Sequence, residues 1–138
     1  MTTDCIQWSG NVDPSNGYGR RSVGGKWVLA HRGAYEEARG PVPKGLVIDH
    51  VCHNESDCIG GDTCPHRRCV NPLHLEAVPQ RLNVLRGKTI PAANVAKESC
   101  PQGHPYDDHN TYRLGARRHC RPCHRDHQRA YLARKAAQ

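Results

Sequence analysis

Between residues 5 and 29 the apolar positions come in short bursts separated by Gly, Asn and Ser, a pattern that predicts short strands. "CIQWSG" and "GKWVLA" are the two runs, and Asn16-Gly17 in "NGYGR" between them has the residue pair of a tight hairpin turn. The period then changes. In "VLAHRGAYEEARG", Leu29, Ala30, Ala34, Tyr35 and Ala38 fall at helical spacing, Gly40 can close the helix, and Pro41 and Pro43 prevent its continuation. "GLVIDHV" follows as a half-buried strand, and the loop at 53–69 is rich in Gly, Asp and Asn. "HLEAV" is a second strand, and Pro79 opens a short helix, "PQRLNVLRG", that ends at Gly87. Residues 88–98 read as a linker. Beyond it lies a separate unit whose end, "CHRDHQRAYLARKAAQ", predicts a basic helix. The chain is therefore expected to be α+β, with one unit over residues 1–90 and a smaller one over 91–138. No internal repeat is visible.

Composition changes this picture by showing how little apolar material is present. In 138 residues there is no Phe, aromatic residues are 5% and hydrophobic residues 36%. A core this thin needs cross-links, and the eight cysteines and ten histidines supply the candidates. The start, "MTTDCIQWSG", has neither a basic opening nor a long apolar stretch, and no segment has the roughly 20 apolar residues of a membrane span. A cytoplasmic location without membrane association is expected, and in that compartment thiols serve as metal ligands rather than disulfides.

The C-terminal unit has the clearer metal pattern. "CPQGH" offers Cys100 and His104, and "CRPC" offers Cys120 and Cys123, with a hairpin-length segment between the pairs. Two pairs, each presented from a tight turn, suit a tetrahedral Zn²⁺. His109, His119, His124 and His127 are alternative histidine ligands. A first zinc is expected on Cys52, Cys69 and His74, with Cys5 as the fourth ligand. Cys58 and Cys64 compete for that place, and they could instead form a partial third site with His53 or His66, exchange with Cys69, or stay free.

The formal charge is +7, and from Tyr112 onward seven arginines and Lys135 face a single acid, Asp126. Such an excess suits a polyanion. Asp49, His50 and Asn83 are left unexplained by the cysteine sets. Asn83 in particular sits within a predicted helix, where Asn is a poor choice.

At these residues the chain resembles the HNH, or ββα-metal, endonucleases, most closely the zinc-bound kind that includes the His-Cys box homing enzymes. "DHVCHN", "CVNPLHLEAV" and an asparagine nine residues after the histidine of "HL" carry the resemblance. "CIQWSG", "NGYGR" and "AHRGAYE" look like the N-terminal half of phage and actinobacterial HNH proteins, and "CPQGHPYDDHNTY" with "RHCRPCHR" is similar to a zinc extension that often follows.

The resemblance implies a ββα-metal core stapled by structural zinc, with a second zinc in the basic extension. It also implies His50 as general base, and Asp49 and Asn83 as ligands of one catalytic Mg²⁺ or Mn²⁺. His74 falls at the family's central asparagine, a zinc ligand in the zinc-bound members. Double-stranded DNA is the expected substrate, inside a bacterial or phage-infected host cell, nicked by a monomer or cut by a homodimer. Arg20, Arg32, Arg117, Arg118, Arg121, Arg125 and Arg129 are the expected DNA contacts. The competing reading is a zinc-stabilised nucleic-acid binder without catalysis. Asp49 and His50 raise one structural demand: neighbours in a regular strand point to opposite faces, so the strand must bend or end there.

Overall fold

The structure, a computed structural model, describes residues 4–137. It is mixed α and β, with three two-stranded antiparallel sheets. β1 (Arg20–Val23) pairs with β2 (Lys26–Leu29), and α1 (Ala30–Arg39) follows without a break. β3 (Leu46–His50) runs directly into the four-residue α2 (Val51–Asn54). After the cysteine-rich loop and two 3-10 turns, β4 (Leu75–Pro79) returns along β3 and leads into α3 (Gln80–Arg86). A helix α4 (Ile90–Ala96) precedes the hairpin of β5 (Thr111–Leu114) and β6 (Arg117–Cys120), and α5 (Arg121–Ala136) ends the described chain. Two compact units divide between Ala92 and Ala93. Among the described residues no helix is long and apolar enough to cross a membrane.

Three sequence expectations need correction. The hairpin of regular strands turns at Gly24 and Gly25, both at positive φ (55° and 76°), whereas the turn at Asn16-Gly17 joins segments that make only one antiparallel bridge, Val12 to Gly19. Asn16 belongs instead to an earlier turn organised by Asp13, whose carboxylate accepts hydrogen bonds from Ser15 and from the Asn16 side chain. "CIQWSG" does not form a regular strand. It makes one bridge, Gln7 to Cys69, flanked by backbone hydrogen bonds of 2.8 Å from Trp8 N–H to the Arg68 carbonyl and from Val70 N–H to the Ile6 carbonyl. Third, the expected linker contains α4. Its Pro91 sits in the first turn, where the missing N–H costs nothing, and the Thr89 hydroxyl caps it by accepting from Ala92 N–H at 3.2 Å.

The core is as small as composition implied. Its buried apolar residues are Ala30, Leu75, Val78 and four cysteines, Cys64, Cys69, Cys100 and Cys120. Leu75 is the largest fully buried side chain, at 1% exposure, and it faces His50 across the β3–β4 register. Leu75→Ala is expected to lower stability by about 3 kcal/mol, read by denaturant unfolding at fixed metal concentration. A loss below about 1 kcal/mol would show that this side chain does not hold the two strands.

Candidate active site and metal clusters

His50 is the last residue of β3, and the backbone turns there (φ −98°, ψ 94°) into α2. This is the strand end that adjacent Asp49 and His50 demanded. Both line one cleft of about 310 Å³, with Asn83 from α3 and with Asn54, Arg67 and Lys88 around them. The β3–β4–α3 unit therefore brings together the three residues singled out from sequence.

Asp49 and His50 are nearly buried, at 4% and 8% exposure. Asp49 is held by two donors on Oδ2: Asn54 Nδ2 at 2.8 Å and Arg86 Nη1 at 3.3 Å. Arg86 also pairs with Glu76, the residue opposite Asp49 on β4. Nε2 of His50 lies 3.2 Å from the Cys69 carbonyl. A carbonyl only accepts, so Nε2 must carry the proton, leaving Nδ1 as the basic nitrogen. Burial pushes the His50 pKa below its ordinary value, partly opposed by that carbonyl, so the ring is held neutral.

Sequence reasoning missed the company His50 keeps. His31, buried on α1, lies edge-on to it with ring centroids 4.7 Å apart, and the Tyr18 ring is 5.3 Å from His31 and 6.3 Å from His50. His31 follows Ala30 at the start of the α1 pattern, and a histidine on that apolar face was the available signal. Burial, then the His50 and Arg32 charges, push its pKa down to about 3. Asn54 and Arg86 were missed as well. Nothing in their local sequence marks them, because their partner Asp49 lies on another element or across a bend.

Three Cys/His sets each bring four possible ligand atoms within 4.8 Å of one another: Cys5, Cys52, Cys69 and His74; Cys100, His104, Cys120 and Cys123; and His53, Cys58, Cys64 and His66. The first two are the sets expected from sequence, with Cys5 and His104 in the contested places. The third takes both unassigned cysteines and stands beside the two sites anticipated.

In the first set, Nδ1 of His74 is 3.6 Å from Cys5 Sγ and 3.5 Å from Cys69 Sγ. Local structure presents these groups. Buried Asn71 caps the 3-10 turn Pro72–His74 by accepting from Leu73 N–H at 3.0 Å, and its amide donates to the Asp4 carbonyl at 3.0 Å, tying down the N-terminal segment. Hydrogen bonding from the Cys52 thiol, with help from Asn71 N–H and His74, outweighs burial and draws the Cys69 thiol down to about 4, while Cys52 and Cys5 are pushed up. Crowded thiols of this kind deprotonate together only beside a cation, and the soft donor set fits Zn²⁺.

In the C-terminal set, Nδ1 of His104 lies 3.4, 3.6 and 3.3 Å from the sulfurs of Cys100, Cys120 and Cys123. A turn closed by Gly103 N–H on the Cys100 carbonyl (2.9 Å) presents the first pair, and the junction of β6 with α5 presents the second.

The arginines divide into engaged and open groups. Arg20 pairs with Asp13 at 3.4 Å and Arg32 with Glu36 at 3.0 Å. Arg118 stacks on Tyr106 and donates to the Asn94 and Lys97 carbonyls, and Arg121 donates to the Thr111 carbonyl at 3.2 Å. Arg117, Arg125 and Arg129 are exposed.

A ββα unit thus brings a buried acid, a neutral histidine and a helix asparagine to one cleft. The model of the HNH endonuclease family matches residues 28–59, which include His31, Asp49 and His50. Protein 7.7 of Escherichia phage T7 is 47% identical over 72 residues, which are 52% of this chain and 45% of that protein. The chain thus spans under half the length of that relative. An uncharacterized gene 5.3 protein of Enterobacteria phage T3 is 32% identical over 92 residues, 62% of this chain and 79% of that protein. No solved structure matches the chain. The chain belongs to the HNH endonuclease family.

The buried His31 gives a pH test. Above about pH 6.5 both folded and unfolded chains hold it neutral. Below that, the unfolded chain takes up a proton that the folded chain refuses until about pH 3, so stability falls as pH falls through the window. His31→Phe is expected to flatten the decline between about pH 6.5 and 5 when both proteins are unfolded at one metal concentration. Equal slopes would show that His31 is not held neutral.

Proposed function

We propose that the chain is a DNA endonuclease that hydrolyses phosphodiester bonds by a one-metal mechanism. The observation that carries this reading is the shared cleft of Asp49, His50 and Asn83, with the His50 tautomer set by the Cys69 carbonyl. The Asp49 carboxylate and the Asn83 amide oxygen are hard donors that suit Mg²⁺ or Mn²⁺, and the thiolate sets suit Zn²⁺. A cation held there supplies charge neutralisation at the phosphate and at the departing 3′ oxygen.

The protein's own groups do the rest. Neutral His50 takes the proton from the attacking water at Nδ1, and Nε2–H···O=C of Cys69 holds the ring and spreads the resulting charge. Arg86 balances Asp49, and its second partner Glu76 would keep it in place were Asp49 to hold a cation. Arg67 and Lys88 at the cleft supply positive charge for the phosphate backbone.

Residues 91–138 act as a zinc-binding extension that grips double-stranded DNA, with Arg117, Arg125 and Arg129 free for phosphates. As a monomer the protein nicks, and as a homodimer it cuts both strands. The phage origin of the relatives supports action in the cytoplasm of an infected bacterial cell.

Supercoiled plasmid with Mg²⁺ tests the chemistry. Wild type is expected to relax it, and His50→Ala to slow cleavage by about 10²–10⁴-fold. An intact plasmid with wild type in Mg²⁺, Mn²⁺ and Ni²⁺ would leave the non-catalytic binder. Equal cutting by both proteins would remove His50 as base. Replacing Arg125 and Arg129 together by Ala should lower the slope of log affinity against log salt by about 2. An unchanged slope would take α5 off the DNA.

A further inference from the structure

The loop between α2 and β4 has almost no apolar interior. Within residues 53–68 only Cys64 is buried, so burial alone cannot fix its path. Yet it closes on itself through His53 at one end, Cys58 and Cys64 in the loop, and His66 in the 3-10 turn Pro65–Arg68. Cys64 Sγ is 3.5 Å from Cys58 Sγ and 3.6 Å from Nδ1 of both His53 and His66. Ligands on a tetrahedral Zn²⁺, with Zn–S about 2.3 Å and Zn–N about 2.0 Å, are separated by about 3.8 Å between sulfurs and about 3.5 Å between sulfur and nitrogen. The observed spacings match. A disulfide would need sulfurs about 2.05 Å apart.

Two further features suit thiolate ligands. Gly60 N–H points at Cys58 Sγ at 3.4 Å, from a Gly60-Gly61 pair at positive φ (86° and 90°), and the amides of His66 and Arg67 point at Cys64 Sγ. Backbone donors of this kind stabilise sulfur that carries negative charge. The three sets together also take up all eight cysteines.

We propose that His53, Cys58, Cys64 and His66 bind a third zinc ion, and that this ion folds residues 53–66 into one wall of the catalytic cleft. His53, Gly60, Gly61, Cys64 and His66 all line that cleft, as does exposed Ile59 at the loop tip. Arg67, next in sequence, donates to Asp62 at 2.9 Å and to the Asn16 carbonyl and lies over the Tyr18 ring, so the folded loop is also fastened to the N-terminal turn. The metal site stands on its own ligands. Only the naming of the cleft as catalytic rests on the proposed function.

Zinc content of the full chain, purified under reducing conditions without chelator, tests this without any cleavage assay. Three zinc ions per chain are expected. The Cys58→Ser/Cys64→Ser double variant should hold two, with faster hydrogen exchange confined to residues 53–68 and β3 and β4 still protected. Two zinc ions in the wild type, or an unchanged count in the variant, would overturn the proposal. Should the variant fail to fold, alkylation of the wild type decides. Cys58 and Cys64 are expected to resist iodoacetamide until EDTA is added. Their modification without chelator, or their recovery as a disulfide, would overturn it. Loss of plasmid cleavage with three zinc ions present would count against the nuclease reading alone.

Discussion

The chain has too little apolar material to hold itself together, and the way it makes up the shortfall shapes both the fold and the cleft. Among the described residues only Ala30, Leu75 and Val78 are buried apolar side chains other than cysteine. Fully burying a Leu or Val side chain is worth about 1.5–3 kcal/mol, and an Ala methyl less, whereas a structural zinc bound to four ligands contributes on the order of 10 kcal/mol. Cys/His clusters able to hold zinc therefore stand where a larger protein would place Leu and Phe. The clusters also fix backbone. Cys69 belongs to the first set through its sulfur and receives His50 through its carbonyl, so the segment that a metal would fasten also decides which nitrogen of the candidate base carries a proton.

The Asp49 end of the cleft follows a different chemical rule, though His53, Cys64 and His66 line the same cleft. Asp49, Asn54 and Asn83 bring oxygen and amide groups to it, and the sulfurs of the first set belong to the neighbouring cluster. Soft and hard donors a few residues apart can then sort two kinds of cation by preference. Burial on the α1 side gives the cleft its second property. His31 and Tyr18 cover one side of His50 with ring edges and faces, which keeps water from that side of the imidazole and both histidines uncharged. Two neutral imidazoles 4.7 Å apart coexist without repulsion. Two charged ones would not.

Sequence was most legible where ligands are close in the chain and the spacing repeats. Cys100 with His104 and Cys120 with Cys123 are pairs of this kind, and their gathering follows from two turns and one hairpin. Asp49 with His50 was legible for a different reason, since an acid and a base adjacent at the end of an apolar run have few structural uses. The loop set was legible only as one of several open alternatives. His53, Cys58, Cys64 and His66 have irregular gaps, and nothing local ranks them above exchange with Cys69; the choice is made in space by the Gly60-Gly61 turn and by Arg67. The hairpin of regular strands falls elsewhere than expected because Asp13 captures Asn16 and the segments flanking Asn16-Gly17 pair only through the single bridge of Val12 and Gly19. The helix α4 reads as linker because Pro91 looks like a break, whereas a proline in the first turn starts a helix as readily as it ends one.

The density of chemical side chains between Asp49 and Asn54 has a geometric cause. In a strand they would alternate between two faces, and in one long helix they would wind around a single axis. Here the strand stops at His50 and four helical residues follow, so each side chain leaves the backbone in its own direction. Successive helical residues are turned by about 100°, enough to send Cys52 to the set with Cys69 and His53 to the set with Cys64. Asn54 comes back round to Asp49, where it donates at 2.8 Å. One short junction thus serves the cleft and both neighbouring clusters. A residue inserted in α2 would rotate every later side chain by that same angle and exchange their destinations, so the length of this segment is constrained as tightly as its composition.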